Sequence, residues 1–527
     1  MFQRIEMKKK LVIFPIFVIL LVQLGAKDDE IWNQSVEKIA SMVELIGQNY
    51  YKAVEPEKLA EASVKGLLET LDPHSYFLDI ENFSRMAEEQ KGKYYGLGLQ
   101  IQKYEDRLVV VSPMEGTPAW RLGIQAGDLI THINGESTKP ISDRDAVAKL
   151  RGPKGTKVTI TLAREGVEKP IELTIVREEI PLYSVPYAFM LQDGIGYINV
   201  RYFAESTTDE FETKMELLVE KGLKSLILDL RWNPGGPLFQ SIDLSDEFLP
   251  KDALVVSIKG RNRRYDQEFV ALRNNQYEKI PLIVLINQGT ASASEIVAGA
   301  IMDHDRGLII GEDSWGKGLV QQIFPLAANM AVALTIAKYY TPSGRSVQRD
   351  YSHLEDYLMD KAVPEKDREI KYTDKGRKVL GQGGITPDYE VKFLLLPYTA
   401  ELRMKGVFFS FIRKFVSHQT PLSKKFIFPQ DAQATAAAGP GKIVVGRDFN
   451  ADAAVIEDFR DYLVSNKITV DAKKFKEAEL EIKRELEREL ASALWGNEEG
   501  WKAFEKSDPV IIKALQAMPE AAKFVDR

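Results

Sequence analysis

Two short segments carry the residue types for acyl-transfer chemistry. The first is Thr290-Ala291-Ser292-Ala293-Ser294-Glu295, directly after the apolar run Leu282 to Ile286. A strand, a small-residue turn and a helix in that order place Ser292 at a helix N-terminus. There the unpaired N–H groups and the helix dipole favour a developing negative charge. Taken alone, Ser292-x-x-Glu295 also reads as a capping box that only starts a helix. The second segment is Gly316-Lys317-Gly318, with Gln321 four residues on. A lysine between glycines can approach another group closely. To act as a base it has to lose a proton near neutral pH, from an ordinary pKa of about 10.4. A dry pocket without a carboxylate partner supplies such a shift, and Glu312 and Asp313 oppose it if they point inward. Alone, Lys317 reads as a solvated turn lysine. It is not a phosphate-loop lysine, because glycine follows it where serine or threonine is needed.

A third segment, Asp229-Leu230-Arg231-Trp232-Asn233-Pro234-Gly235-Gly236, follows the strand Ser225 to Leu228. A Pro-Gly-Gly turn at a strand end exposes backbone N–H groups. With the N–H of Ala293, those of Gly235 or Gly236 can form an oxyanion hole, or the segment is an ordinary turn. Cysteine is absent, which excludes a thiol nucleophile, a disulfide framework and Cys-ligated zinc. None of His74, His132, His304, His353 and His418 has the helical spacing of a zinc hydrolase, so no metal and no cofactor are expected. His304, on the stretch after Ser292, is the one alternative base.

The elements that position these residues follow from periodicity. The 527 residues imply several domains. Ile31, Val36, Ile39, Met42, Val43 and Ile46 recur at helical spacing, and a second helix runs from Pro56 to about Thr70, before Asp72-Pro73. From Tyr94 to about Ile180 the period becomes that of strands, with a short helix that Ser142 caps and that runs to Leu150. Between Ile195 and about Val391 apolar strands alternate with helices. Ser225 to Leu228, Leu282 to Ile286 and Ala331 to Tyr339 read as strands buried on both faces of an α/β layer. Residues 397–527 read as helical, with an Ala/Gly/Pro-rich linker at 430–442. Ala472 to Trp495 reads as one solvated helix with a packing stripe of Ile482, Leu486 and Leu490.

The N-terminus has Arg4, Lys8, Lys9 and Lys10 before an apolar run from Leu11 to Leu24 and then Gly25-Ala26. This pattern predicts export, with residues 1–26 either a cleaved signal peptide or an anchor that contacts the inner membrane. The net charge of −7 argues against nucleic acid as a partner.

A fourth segment joins Tyr95-Gly96-Leu97-Gly98 to Gly123-x-x-x-Gly127-Asp128-x-Ile130. It resembles a PDZ domain, whose glycine loop holds a peptide's terminal carboxylate while the peptide adds as a strand. Together the four segments resemble the C-terminal processing peptidases, also called tail-specific proteases. Leu71-Asp72-Pro73-His74-Ser75, Tyr340-Thr341-Pro342-Ser343-Gly344-Arg345 and Gly384-Ile385-Thr386-Pro387-Asp388 extend the resemblance. It implies a multidomain α/β chain: a helical region at 28–92, a β-rich PDZ domain at 93–180, a peptidase core at 181–396 resembling the ClpP/crotonase-like fold, and a helical extension at 397–527.

The resemblance further implies a serine endopeptidase with Ser292 as nucleophile, Lys317 as base and Gln321 orienting the lysine. The oxyanion groups are then Gly235, Gly236 and Ala293. Tyr95, Gly96, Leu97 and Gly98 hold the substrate tail, and Arg151, after the PDZ helix, is a regulatory contact to the core. Its substrates are exported or envelope proteins with apolar C-terminal tails. An adaptor protein and a homo-oligomer stay open as partners. The alternative is a PDZ-based scaffold with a vestigial core, against which the complete Ser–Lys–Gln set argues.

Overall fold

The computed structural model describes residues 29–525 except 105, 193, 275–276, 327–328, 354, 356, 358, 360–362, 394 and 430–441. The apolar run before Ala26 and nearly all of the 430–442 linker lie outside the described residues. No described helix is long and apolar enough to cross a membrane. The chain divides into two compact units, Met1–Ile80 with Gln321–Thr335, and Glu81–Val320 with Ile336–Arg527.

The first unit holds the helices Asp29–Asn49 and Pro56–Glu69 and the strand Tyr76–Leu78. Proline at the first turn starts the second helix and Thr70 caps it, as the spacing predicts. Tyr76–Leu78 pairs antiparallel with Ala331, Val332 and Ala333. Beside this ladder the Asp72-Pro73-His74-Ser75 turn is tied down. Asp72 accepts from the Ser75 hydroxyl (2.8 Å) and from the Thr335 hydroxyl (3.1 Å), while the Ser75 hydroxyl accepts the Thr335 N–H (3.1 Å).

The second unit begins at Glu81, within the helix Ile80–Gln90, and continues into a β-rich segment. Its sheet has the order Leu99–Tyr104, Arg107–Pro113, Leu129–Ile133, Lys157–Ala163 and Ile171–Val176. Leu97, Leu108, Val110, Ile130, Val158, Ile160 and Leu162 alternate into one core, as a period of two requires. The helix Asp143–Leu150 starts with a capping box between Ser142 and Asp145. At its other end the Arg177 guanidinium donates to the carbonyls of Lys149 and Leu150 (2.8 and 3.1 Å), where a cation suits the helix dipole.

The central sheet orders Tyr187–Gln192, Ile195–Asn199, Ser225–Asp229, Leu282–Ile286, Leu308–Gly311 and Tyr389–Glu390. Only the first pair is antiparallel. The strands 225–229 and 282–286 are buried on both faces, which accounts for their unbroken apolar runs. Helices Thr207–Glu220, Leu238–Asp246 and Ala293–Asp303 share one core with one face. The strand Ala331–Tyr340 is not in this layer, contrary to its reading above. Its Ser257-facing end, Ala337 to Tyr340, pairs antiparallel with Leu254–Gly260. Its mixture of buried and half-buried residues suits a strand covered mainly on one face.

The C-terminal extension has two parts. Helices Val407–Val416, Ala453–Ser465 and Glu479–Trp495 enclose a phenylalanine-rich core of their own. The stretch 472–495 is two helices rather than one. Ala478 (φ −89°, ψ 1°) separates Ala472–Glu477 from Glu479–Trp495, and Phe475 joins Ile482, Leu486 and Leu490 in the same cluster. The last helix, Pro509–Ala521, covers the second face of the central sheet, packing Val510, Ile511, Ala514 and Met518 on Ile227, Ile283, Leu285 and Ile310.

Candidate active site

The C-terminal ends of two neighbouring parallel strands deliver the turns that matter. The strand Leu282–Ile286 leads to Ser292, immediately before the helix Ala293–Asp303. Ser292 has φ 58° and ψ −115°, a conformation that costs a non-glycine residue on the order of 1–3 kcal/mol. Its surroundings enforce it. The Ser292 N–H donates to Glu295 Oε2 (2.8 Å), the Glu295 N–H donates to the Ser292 carbonyl (2.9 Å), and the Tyr339 hydroxyl donates to the same carbonyl (3.1 Å).

Glu295 is the residue that the sequence reading undervalued as a helix cap. It is fully buried (0% exposed) and accepts four donors. Besides Ser292 these are the Ser314 hydroxyl (2.5 Å), the Gly316 N–H (2.7 Å) and the Lys317 N–H (2.8 Å). Burial pushes its pKa above the ordinary carboxyl range, while the bonds from Ser314, Lys317, Ser292 and Gly316 pull it back. One carboxylate thus fastens the serine turn to the lysine turn. Lys317 itself is half-buried. Its flanking glycines are required by contact. A Cβ on Gly316 (φ +87°) meets the Arg349 side chain at 2.6 Å, and one on Gly318 meets the Gln348 N at 2.9 Å. The motif residues 384–388 support the same turn, with Ser314 and Ile385 exchanging hydrogen bonds. Arg345 of the 340–345 motif is fully buried and pairs with Asp303 (2.8 Å) at the far end of the serine helix.

The strand Ser225–Asp229 leads to the turn at Gly235. A Cβ on Gly235 (φ +98°) falls 2.8 Å from the Ser292 Cβ and 2.9 Å from the Ala293 N, so the turn lies directly against the serine. The Gly235 N–H is already taken by the Asn233 side chain (2.9 Å). The Ala293 N–H is the first of its helix and faces the same turn. Asn233 locks both turns. Its side chain donates to the Val200 carbonyl (2.8 Å), and its own carbonyl accepts from Ala291 N–H (2.9 Å) and the Ser294 hydroxyl (3.1 Å).

Gln321 lies in the other compact unit, where its amide donates to the Thr335 hydroxyl (3.4 Å). His304 is no rival base. It is the C-cap of the helix that begins after Ser292, beyond eleven helical residues, and its ring bonds Asp374 and the Leu254 carbonyl (2.7 Å each).

In the β-rich segment Tyr95 and Gly96 are part of a ribbon between Lys93–Gly96 and Glu178–Pro181. Leu97 is buried, and Gly98 (φ +77°) abuts Thr117. The strand Leu99–Tyr104 that follows is the edge of its sheet, so one row of its backbone groups is open to an added strand. Arg151 pairs with Glu88 (2.9 Å) and lies over the Tyr94 ring (4.2 Å). These contacts are with the helix Ile80–Gln90 and the ribbon.

Family sequence models match at three places: peptidase family S41 over residues 194–353, a PDZ domain over 109–164, and the N-terminal domain of the activating protease CtpB over 21–82. A carboxy-terminal-processing protease of Bartonella bacilliformis is 38% identical over 66% of this chain and 80% of its own length. The chain belongs to the carboxy-terminal processing proteases. Two Bacillus subtilis relatives, carboxy-terminal processing proteases CtpA and CtpB, are 34% and 33% identical over 68% and 62% of this chain and 79% and 68% of theirs. This carboxy-terminal processing protease is thus a serine peptidase that acts on proteins or peptides. Its multidomain α/β architecture, with a PDZ domain and helical regions at both ends, is the one the sequence resemblance implied.

Proposed function

We propose that Ser292 and Lys317 form a catalytic pair that cleaves near the C-termini of exported proteins. Ser292 Oγ attacks the peptide carbonyl, and the Lys317 amine takes the hydroxyl proton. The amine returns that proton to the leaving amine, and water then hydrolyses the acyl-enzyme. The Gly236 and Ala293 N–H groups stabilise the oxyanion. Gln321 orients the lysine, a role taken from the resemblance. The observation that carries this reading is the buried Glu295 carboxylate, which bonds the backbones of Ser292 and Lys317 at once.

The PDZ domain captures apolar substrate tails. In support, the edge strand Leu99–Tyr104 follows the Gly96–Gly98 loop and has a free side. The basic and apolar N-terminal sequence supports export to the cell envelope or periplasm, with anchoring at the inner membrane if the segment is retained. An adaptor and self-association belong to the same reading as open partners. The test is digestion of an unfolded, apolar-tailed protein by the wild type and by Ser292→Ala. Cleavage by the wild type alone supports the reading, and equal cleavage contradicts it.

A further inference from the structure

The turn that approaches Ser292 begins at Arg231, and Arg231 is held from an unexpected direction. Its guanidinium donates to Asp229 (2.7 Å), Asp508 (2.6 Å) and Glu505 (3.2 Å). Asp229 ends a strand of the central sheet, whereas Glu505 and Asp508 belong to the helical C-terminal extension. The Arg231 side chain is 10% exposed, and the three carboxyl side chains are 1–3% exposed. In such a setting an ion pair is strongly geometry-dependent, because removing one partner strands the other charge.

Asp508 is held on two sides. Its Oδ1 accepts from the Val510 N–H (2.7 Å) and caps the helix Pro509–Ala521, and its Oδ2 accepts from Arg231 Nη1. The cap fixes the carboxylate relative to a helix that packs on the underside of the strands 225–229 and 282–286. From Arg231 the fixed geometry runs through two residues. The Trp232 N–H bonds Asn287 (2.8 Å), and Asn233 bonds Gly235, Ala291 and Ser294. A displacement at Arg231 therefore moves the backbone that faces Ser292 and Ala293.

We propose that Asp508 is a positioning residue for peptide-bond cleavage, holding Arg231 so that the turn ending in Gly235-Gly236 stays against Ser292. The inference rests on the catalytic reading of Ser292 given above. It makes the C-terminal extension a part of the catalytic unit and not an appendage.

The test compares full-length Asp508→Asn with Asp452→Asn on one unstructured peptide. Asparagine keeps the helix cap in both, since it caps as well as aspartate. Asp452 caps the helix Ala453–Ser465 and serves as the control. The expected result is a tenfold or greater fall in kcat for Asp508→Asn with KM within twofold of wild type, and wild-type kinetics for Asp452→Asn. Wild-type kcat in Asp508→Asn, or equal losses in both variants, overturns the proposal. If Asp508→Asn unfolds at the assay temperature, Arg231→Lys reads the same interaction with the cap intact, and wild-type kcat there also overturns it. Ser292→Ala in the same panel separates the two readings, because activity in that variant removes the catalytic assignment whatever Asp508 does.

Discussion

The backbone N–H groups of Ser292 and Lys317 donate to one and the same oxygen, Glu295 Oε2, each at 2.8 Å. They are 25 positions apart in sequence, and the oxygen that joins them belongs to a fully buried side chain. An amide in place of this carboxylate accepts on one atom only and turns its N–H groups toward donors. Glu295→Gln should then lower stability by about 2–4 kcal/mol, the cost of one or two buried donors left unmet. It should lower kcat by more than tenfold at temperatures where the variant is still folded. Thermal unfolding with steady-state kinetics checks this, and wild-type kcat in a folded variant would count against a positioning role.

Gly235→Ala tests the contact from the other side. The new methyl group collides with Ser292 and Ala293, and φ +98° adds about 1–2 kcal/mol of backbone strain. Gly123→Ala has similar strain (φ +73°) but an open surrounding. Activity should be lost in the first and kept in the second. Equal activities at matched folded fractions would mean that the Gly235 turn does not matter to the chemistry.

Glu505 predicts a pH dependence of stability. Burial raises its pKa well above the ordinary carboxyl range; Arg231 opposes this, while Asp508 and Asp229 reinforce it. Tyr197 faces the same cluster through its bond to Asp229 (2.8 Å). A carboxyl whose folded pKa is raised contributes stability fully below its unfolded pKa and loses it as pH rises through the folded value. The wild-type melting temperature should therefore fall, relative to Glu505→Gln, as pH rises above about 4.5. Parallel curves for the two proteins from pH 4 to 9 would rule out a titrating Glu505.

Much of the site was legible in the sequence because it depends on local chemistry. Glycines flank Lys317 because Arg349 and Gln348 press against them, and Pro234-Gly235-Gly236 marks a turn that no side chain fits. Strands 225–229 and 282–286 announced themselves by apolar runs, since both of their faces are covered. What stayed hidden depends on distant partners. Nothing in Asn497–Glu505 or Asp508 signals a bond to Arg231, more than 270 positions earlier. Ser292-x-x-Glu295 has the spacing of a common cap, and only the packing of the 314–317 turn gives Glu295 its other donors. Likewise nothing near Arg151 in sequence signals its pair with Glu88, which comes from a helix outside the PDZ pattern.

The PDZ domain carries its own prediction. A peptide with a free apolar C-terminus should be cleaved at least tenfold faster than its C-terminally amidated form. Arg151→Ala, which removes the Glu88 pair and the Tyr94 contact, should shrink that ratio. Equal wild-type rates on both peptides would contradict tail reading. An unchanged ratio in Arg151→Ala would leave the domain as a tether without a gating role.

The central claim is that Ser292 and Lys317 act as one unit. The most direct measurement is kcat/KM on one unstructured, apolar-tailed peptide for Ser292→Ala, Lys317→Ala and the double variant, with folding checked by thermal unfolding. Groups that act as a unit give strongly non-additive losses, each on the order of 10³-fold or more. The account predicts that the double variant is no slower than the worse single variant. Losses that multiply in the double variant, or substantial cleavage by either single variant, would contradict it.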